Sequence, residues 1–170
     1  MKSKVFKPAL FIKKGGALSL SEPALSELLQ AMIKKKVPFR FRAKGFSMSP
    51  FIRDGDIITV CSLSNASPGL GDIVAFINPS TRKLIVHRIV RKSNNSYLIK
   101  GDNSPELGDL IHKEDILGCV NNIERGGKDI FLGLGPERFL IAFLTRRRLL
   151  SPLLFLVRRL VPSVMRRSTK

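Results

Sequence analysis

The chain has 170 residues, 44% hydrophobic and 25% charged. That length and composition fit one globular domain with appendages and exclude a disordered or fibrous chain. The net charge of +17 is unevenly placed: residues 1–44 carry +9, residues 137–170 carry +8, and residues 45–136 hold acids and bases in equal number.

Two basic flanks thus bracket a neutral middle. Such flanks suit a nucleic acid or an anionic membrane surface, and solvated arms are the plainer alternative. Residues 1–20 read as a basic, loosely ordered start, broken at Gly15-Gly16. Ser21-Glu22-Pro23 reads as a helix entry, with Ser as N-cap and Pro where its missing N–H costs nothing. Leu25, Leu28, Leu29, Met32 and Ile33 follow at helical spacing. Lys34-Lys35-Lys36 suits the negative helix end, and Pro38 stops it. Packing onto the domain is the favoured use of this helix, ahead of partner or membrane binding.

From Phe39 the period becomes two: Phe39, Phe41 and Ala43 alternate with Arg40, Arg42 and Lys44. Further strands are expected at 56–61, 72–77, 84–92, 96–100, 115–123 and 128–132. Gly-Asp pairs, Asn94-Asn95 and Gly126-Gly127 mark the turns between them. Short strands at this spacing predict a compact, mainly β domain. Cys61 and Cys119 lie in apolar runs without metal-ligand spacing and read as free thiols rather than a disulfide. Asp54, Asp56 and Asp72 sit beside glycines with no His or Cys at ligand spacing, so no metal and no cofactor is expected.

Beyond residue 132, apolar blocks are cut by Arg146-Arg147-Arg148, Arg158-Arg159 and Arg166-Arg167. Arginines at a membrane centre are costly, which argues against a span. The pattern predicts helices lying in a membrane interface, split by Pro152 and Pro162, with Arg reaching anionic headgroups. A helical hairpin covering the β domain is the alternative, and a nucleic-acid partner is the least favoured. No secretory signal pattern is read near the start, and no window reaches the roughly 18–20 uncharged apolar residues of a span. The organisation expected is a basic arm with an amphipathic helix at 1–37, a β domain at 38–132 and a basic-apolar helical tail at 133–170.

The candidate chemistry lies in the neutral middle. Ser47 sits in Gly45-Phe46-Ser47-Met48-Ser49-Pro50, where Gly45 permits tight backbone geometry and Pro50 stiffens the exit. A serine hydroxyl is nucleophilic only with a base in hydrogen-bond reach. Of the chain's two histidines, His87 lies in Leu84-Ile85-Val86-His87-Arg88-Ile89-Val90. There period two puts it on one face with Ile85 and Ile89, an apolar setting that keeps imidazole neutral.

The Ser47 segment, Asp54-Gly55-Asp56, Gly71-Asp72-Ile73-Val74, Val86-His87-Arg88 and Lys100-Gly101-Asp102-Asn103 follow one another in order over about residues 39–123. Together they resemble the signal peptidase I and LexA-type superfamily of serine proteases. The resemblance implies a coiled, barrel-like antiparallel β domain with Ser47 as nucleophile and His87 as base. It implies the Ser/His branch, close to eukaryotic and archaeal signal peptidases, because other members have Lys at the place of His87. His112 falls where the superfamily has no base. An aspartate would orient His87: Asp109 fits the later acid of the branch, and Asp102, which also suits a turn, stays in play. The oxyanion loop would comprise Gly45, Ser47 and Met48, with the Ser47 N–H as donor. Many bacterial signal peptidases add a serine two positions before the nucleophile, where this chain has Gly45, so the serine box itself is closer to the LexA type.

The function so implied is a serine endopeptidase acting on signal or leader peptides, associated peripherally with a membrane through the C-terminal tail, the cytoplasmic face being slightly favoured. A self-cleaving LexA-type regulator is the alternative. Against it, only 44 residues precede the serine box, and neither Ala-Gly nor Cys-Gly occurs in the chain. A non-catalytic membrane- or nucleic-acid-binding protein is the third reading.

Overall fold

The computed structural model describes residues 9–13, 16–63 and 67–160. Among these residues, ten strands make one sheet: β1 (Ala9–Lys13), β2 (Gly16–Leu20), β3 (Phe39–Arg42), β4 (Ile57–Ser62), β5 (Ile73–Ile77), β6 (Leu84–Lys92), β7 (Ser96–Lys100), β8 (Asp109–His112), β9 (Ile116–Arg125) and β10 (Lys128–Asp129). The helices are α1 (Glu22–Lys34), α2 (Arg138–Arg146) and α3 (Leu150–Leu160). The strand order is β2-β1-β3-β4-β9-β5-β6-β7-β8, with β10 also paired to β9. Every pairing is antiparallel.

Register slips at Thr59/Val60, Ala75/Phe76 and Ile89/Arg91 interrupt three of the ladders. Such bulges sharpen the local twist, and the sheet curls into a half-barrel. The mainly β, barrel-like architecture expected from the sequence is the one observed. Gly118 on β9 is needed for closure, because a Cβ there would run into the Cys61 carbonyl oxygen and the Val60 side chain.

One core lies between α1 and the sheet. Ser21 caps α1 by accepting from the Ala24 amide at 3.4 Å, and Pro23 falls in the first turn. The inward stripe Leu25 and Leu29 is buried against Phe39, Ile58, Val60 and Ile123. A second core gathers Val74, Phe76, Ile89, Tyr97, Ile99 and Ile111. A third, smaller one joins Phe51 to Ile141 of α2 and Leu150 of α3.

Four segments differ from expectation. The loosely ordered start contains the β1–β2 hairpin, tied to the sheet by Phe11 opposite Phe41; Gly15 of the expected break lies outside the described residues. The strand β8 replaces an expected loop, held by its ladder to β7 although Ile111 alone of its side chains is buried. The strand expected at 128–132 stops at Asp129, leaving Phe131 and Leu132 exposed. Pro152 does not split the tail. It lies in the first turn of α3, where no amide is required, and the chain breaks instead at Arg148, whose φ is 60°. Pro162 lies outside the described residues.

Ile58 is fully buried between α1 and the sheet. Ile58→Ala should lower unfolding free energy by about 2–5 kcal/mol, as core truncations of this size do, read from the urea midpoint.

Candidate active site

Ser47 is held by a tight turn between β3 and β4. Gly45 adopts φ 89°, a region in which a side chain is strained, and its amide donates to Asp54 Oδ1 at 2.9 Å. The Ser49 amide bonds the Phe46 carbonyl, and the Phe51 and Ile52 amides both bond the Met48 carbonyl. Ser49-Pro50 is cis. Met48, Phe51 and Ile52 are buried and anchor the turn. The Ser47 hydroxyl is thereby placed at one end of a cleft of about 320 Å³, lined in part by Leu25, Ala43, Met48, Ile58, Val86 and His87.

His87 projects from β6 and brings Nε2 to 3.0 Å from Ser47 Oγ, inside the range a nucleophile–base pair requires. Its ring also lies 6.4 Å from that of Phe76. Burial pulls the imidazole pKa below its ordinary 6.5, against the opposing fields of Asp109, Asp102 and Glu106. Imidazole at neutral pH is therefore uncharged. The Ser47 amide donates no hydrogen bond among the described residues, which leaves it free to receive an oxyanion.

Neither aspartate hydrogen-bonds His87, whose buried Nδ1 has no partner. Asp102 is taken up elsewhere. Both its oxygens accept from Arg88 Nε, at 2.9 and 3.1 Å, and Oδ2 accepts from Arg88 Nη2 at 2.8 Å. Oδ1 also accepts from Thr145 Oγ1 of α2 at 3.0 Å. Asp109, at the start of β8, acts on His87 only through space, as the strongest of the three carboxylates that favour the imidazolium. The rival His112 ends β8 and is exposed. Asp54, Asp56 and Asp72 each serve protein partners: the Gly45 amide, the Arg125 guanidinium, and the Gly69 amide with Arg138. Cys61 and Cys119 face each other across β4 and β9 as free thiols, and burial pushes Cys119 up to about 12.

Arg88, Thr145 and Gly101 escaped sequence reasoning. Arg88 had a signal, a charge inside an apolar strand. Thr145 had none, since its partner lies 43 residues away. Gly101 stood inside a recognisable box, but its task is steric. A Cβ there would lie 2.8 Å from the Ser47 carbonyl oxygen and 2.9 Å from His87 Nε2. Asn103 extends the same contact, its amide donating to the Ser47 carbonyl at 2.7 Å.

Gly101→Ala should therefore push Ser47 and His87 apart. A displacement on the scale of 1 Å costs about 100-fold in rate, to be read as slower acylation of Ser47 by a fluorophosphonate, while circular dichroism stays that of wild type.

Comparison with known proteins places the chain in a family. No curated protein and no solved structure matches the chain. One family, described as Peptidase S24-like, matches residues 16–120, more than half the chain, including the Ser47 turn, His87 and the Gly101 loop. That match supports a serine peptidase or a LexA-like self-cleaving protein in general terms. The chain belongs to the Peptidase S24-like family.

Proposed function

We propose that the protein is a serine endopeptidase that cleaves signal or leader peptides, with Ser47 as nucleophile and His87 as base, in the manner of the Ser/His branch it resembles. The observation that carries this reading is the 3.0 Å contact between His87 Nε2 and Ser47 Oγ at the mouth of an apolar cleft.

Substrate enters as an extended strand. Residues 84–87 of β6 pair with β5 on one side only, because β7 pairs from Arg88 onward. Across the cleft, Ala43–Gly45 runs past the end of β3. A peptide laid between these two segments completes their backbone hydrogen bonds. The narrow apolar lining, with Met48, Ile52 and Val86, favours small side chains at the cut.

Ser47 Oγ attacks the scissile carbonyl carbon and its proton passes to His87 Nε2. The tetrahedral oxyanion accepts from the Ser47 N–H. Collapse breaks the C–N bond, and His87 returns the proton to the leaving amine. The acyl group now on Ser47 is hydrolysed by a water that His87 deprotonates, restoring the hydroxyl. The imidazolium formed in each half-reaction is stabilised by the field of Asp109 in place of a hydrogen-bonded acid. Self-cleavage, which the family also supports, is the second use of the same pair, and the missing Ala-Gly and Cys-Gly dipeptides weigh against it.

Incubating wild type and Ser47→Ala with leader-bearing proteins from the same genome should give new N-termini, by mass spectrometry, with wild type alone. Loss of a nucleophilic serine costs on the order of 10⁶-fold in turnover; equal processing by both proteins would sink the proposal. A base with a lowered pKa is proton-free at neutral pH, so kcat/KM should rise with pH through a midpoint below 6.5 and be flat above it. A rise centred at about pH 8 or above would instead indicate a lysine base.

A further inference from the structure

On the far side of the Gly101 loop lies a second cavity of about 320 Å³, at the junction of α2 and α3. Its walls include Lys100, Asp102, Ser104, Thr145, Arg148 and Ser151. Lys100 is only 4% exposed, yet its ammonium has no hydrogen bond and no ion pair among the described residues. Asp102, the carboxylate on the cavity wall, turns its oxygens to Arg88 and Thr145 instead. The other cation on the cavity is Arg148, likewise without an acid, and the two repel: with burial, Arg148 drives the Lys100 pKa down. Ser151 stands in the first turn of α3, an 11-residue helix, where backbone amides lack intrahelical acceptors and the helix dipole is positive. Two unpaired cations, two serine hydroxyls and a helix start converge on one space, whose lining carboxylate, Asp102, is held by Arg88 and Thr145.

The surroundings indicate the source of the anion. On the same two helices and their connection, Phe143, Leu149, Leu153, Phe155 and Leu156 are between 42% and 68% exposed, with Arg146, Arg147 and Arg148 among them. No helix among the described residues is long and apolar enough to cross a membrane. Exposed Phe and Leu beside Arg on short helices match the hydrocarbon edge and the anionic headgroups of a bilayer surface.

We propose that this cavity receives the phosphate of an acidic phospholipid headgroup and so docks the protein on a membrane through α2 and α3. Lys100 and Arg148 bind the phosphate oxygens, Ser104 and Ser151 donate to them, and the exposed apolar side chains enter the acyl edge. The lipid then lies against the loop whose other face positions Ser47 and His87. This inference stands on the cavity and does not require the peptidase reading.

The full chain, as Ser47→Ala so that turnover plays no part, is sedimented with phosphatidylglycerol/phosphatidylcholine vesicles and with pure phosphatidylcholine vesicles. Binding should require the acidic lipid. Lys100→Gln with Arg148→Gln should weaken it about 30-fold, the product of two surface cations. An equal change of charge at exposed positions elsewhere, Arg91→Gln with Lys128→Gln, should leave it within about twofold. Arg148→Gln alone, on an exposed turn, should weaken binding about fivefold and serves if the double variant does not fold. Equal weakening by both pairs would reduce the effect to bulk charge and overturn the site. Binding of inorganic phosphate without any preference for acidic vesicles would overturn the lipid assignment, as would vesicle binding unaffected by either cavity substitution.

Discussion

The ion pair between Arg88 and Asp102 is the contact on which the site depends. Arg88 is fully buried, and its guanidinium is saturated: Asp102 takes Nε and Nη2, while Nη1 donates to the Gly71 and Gly133 carbonyls at 2.8 and 2.9 Å. One side chain thereby joins β6 to the turn before β5, to the Gly101 loop and to the segment entering α2. Thr145 adds a second tie from α2 to the same carboxylate. A buried pair of this kind contributes little net stability over a well-packed apolar one, but losing either partner costs about 3–5 kcal/mol because a bare charge stays behind. Its value here is geometric: it fixes where the Gly101 loop lies, and that loop presses on both reacting residues.

Strand alternation explains how one strand supplies both the proposed base and the lock. Successive residues on β6 point to opposite faces, so His87 meets Ser47 while Arg88 enters the interior beneath α2. Gly101 then sits between the two functions. It has no side chain because its neighbours, the Ser47 carbonyl and His87 Nε2, leave no room for one. The absence of an acid on His87 Nδ1 follows from the same economy. The aspartate closest in sequence to the loop is consumed in holding the fold, and the imidazole is left with the more distant field of Asp109.

Much of this was legible in the residues. Alternation or continuous apolar runs between turn residues located β3 to β7 and β9 nearly to their ends, with β3 alternating and β5 buried on both faces. The Ser21 cap and Pro38 bounded α1 because capping is local chemistry. What local pattern could not show was pairing. The strands β1, β2 and β8 carry too few buried side chains to stand out, and they exist through ladders to partners elsewhere in the chain. The serine and histidine were named from the ordered set of motifs that resembles a serine-protease superfamily, since either residue alone reads as ordinary. The choice between Asp102 and Asp109 was open because it turns on Arg88 and Thr145, whose approach to Asp102 is tertiary.

The charge distribution has the same logic at larger scale. The candidate cleft is lined mainly by apolar side chains, with Arg42 and Lys44 on its wall, and burial lowers the pKa of His87 there. Beyond Gly133 the basic residues divide, with Arg138 paired to Asp72 and Arg148 turned toward the second cavity. Arg138 thus finds a carboxylate, and Arg148 at the α2–α3 turn does not, among the described residues. Lys100 and Arg148 repel each other across a cavity whose carboxylate is already held by Arg88 and Thr145. Under the proposed docking a lipid phosphate would relieve that repulsion, so the membrane-bound state would gain an interaction that the free chain lacks.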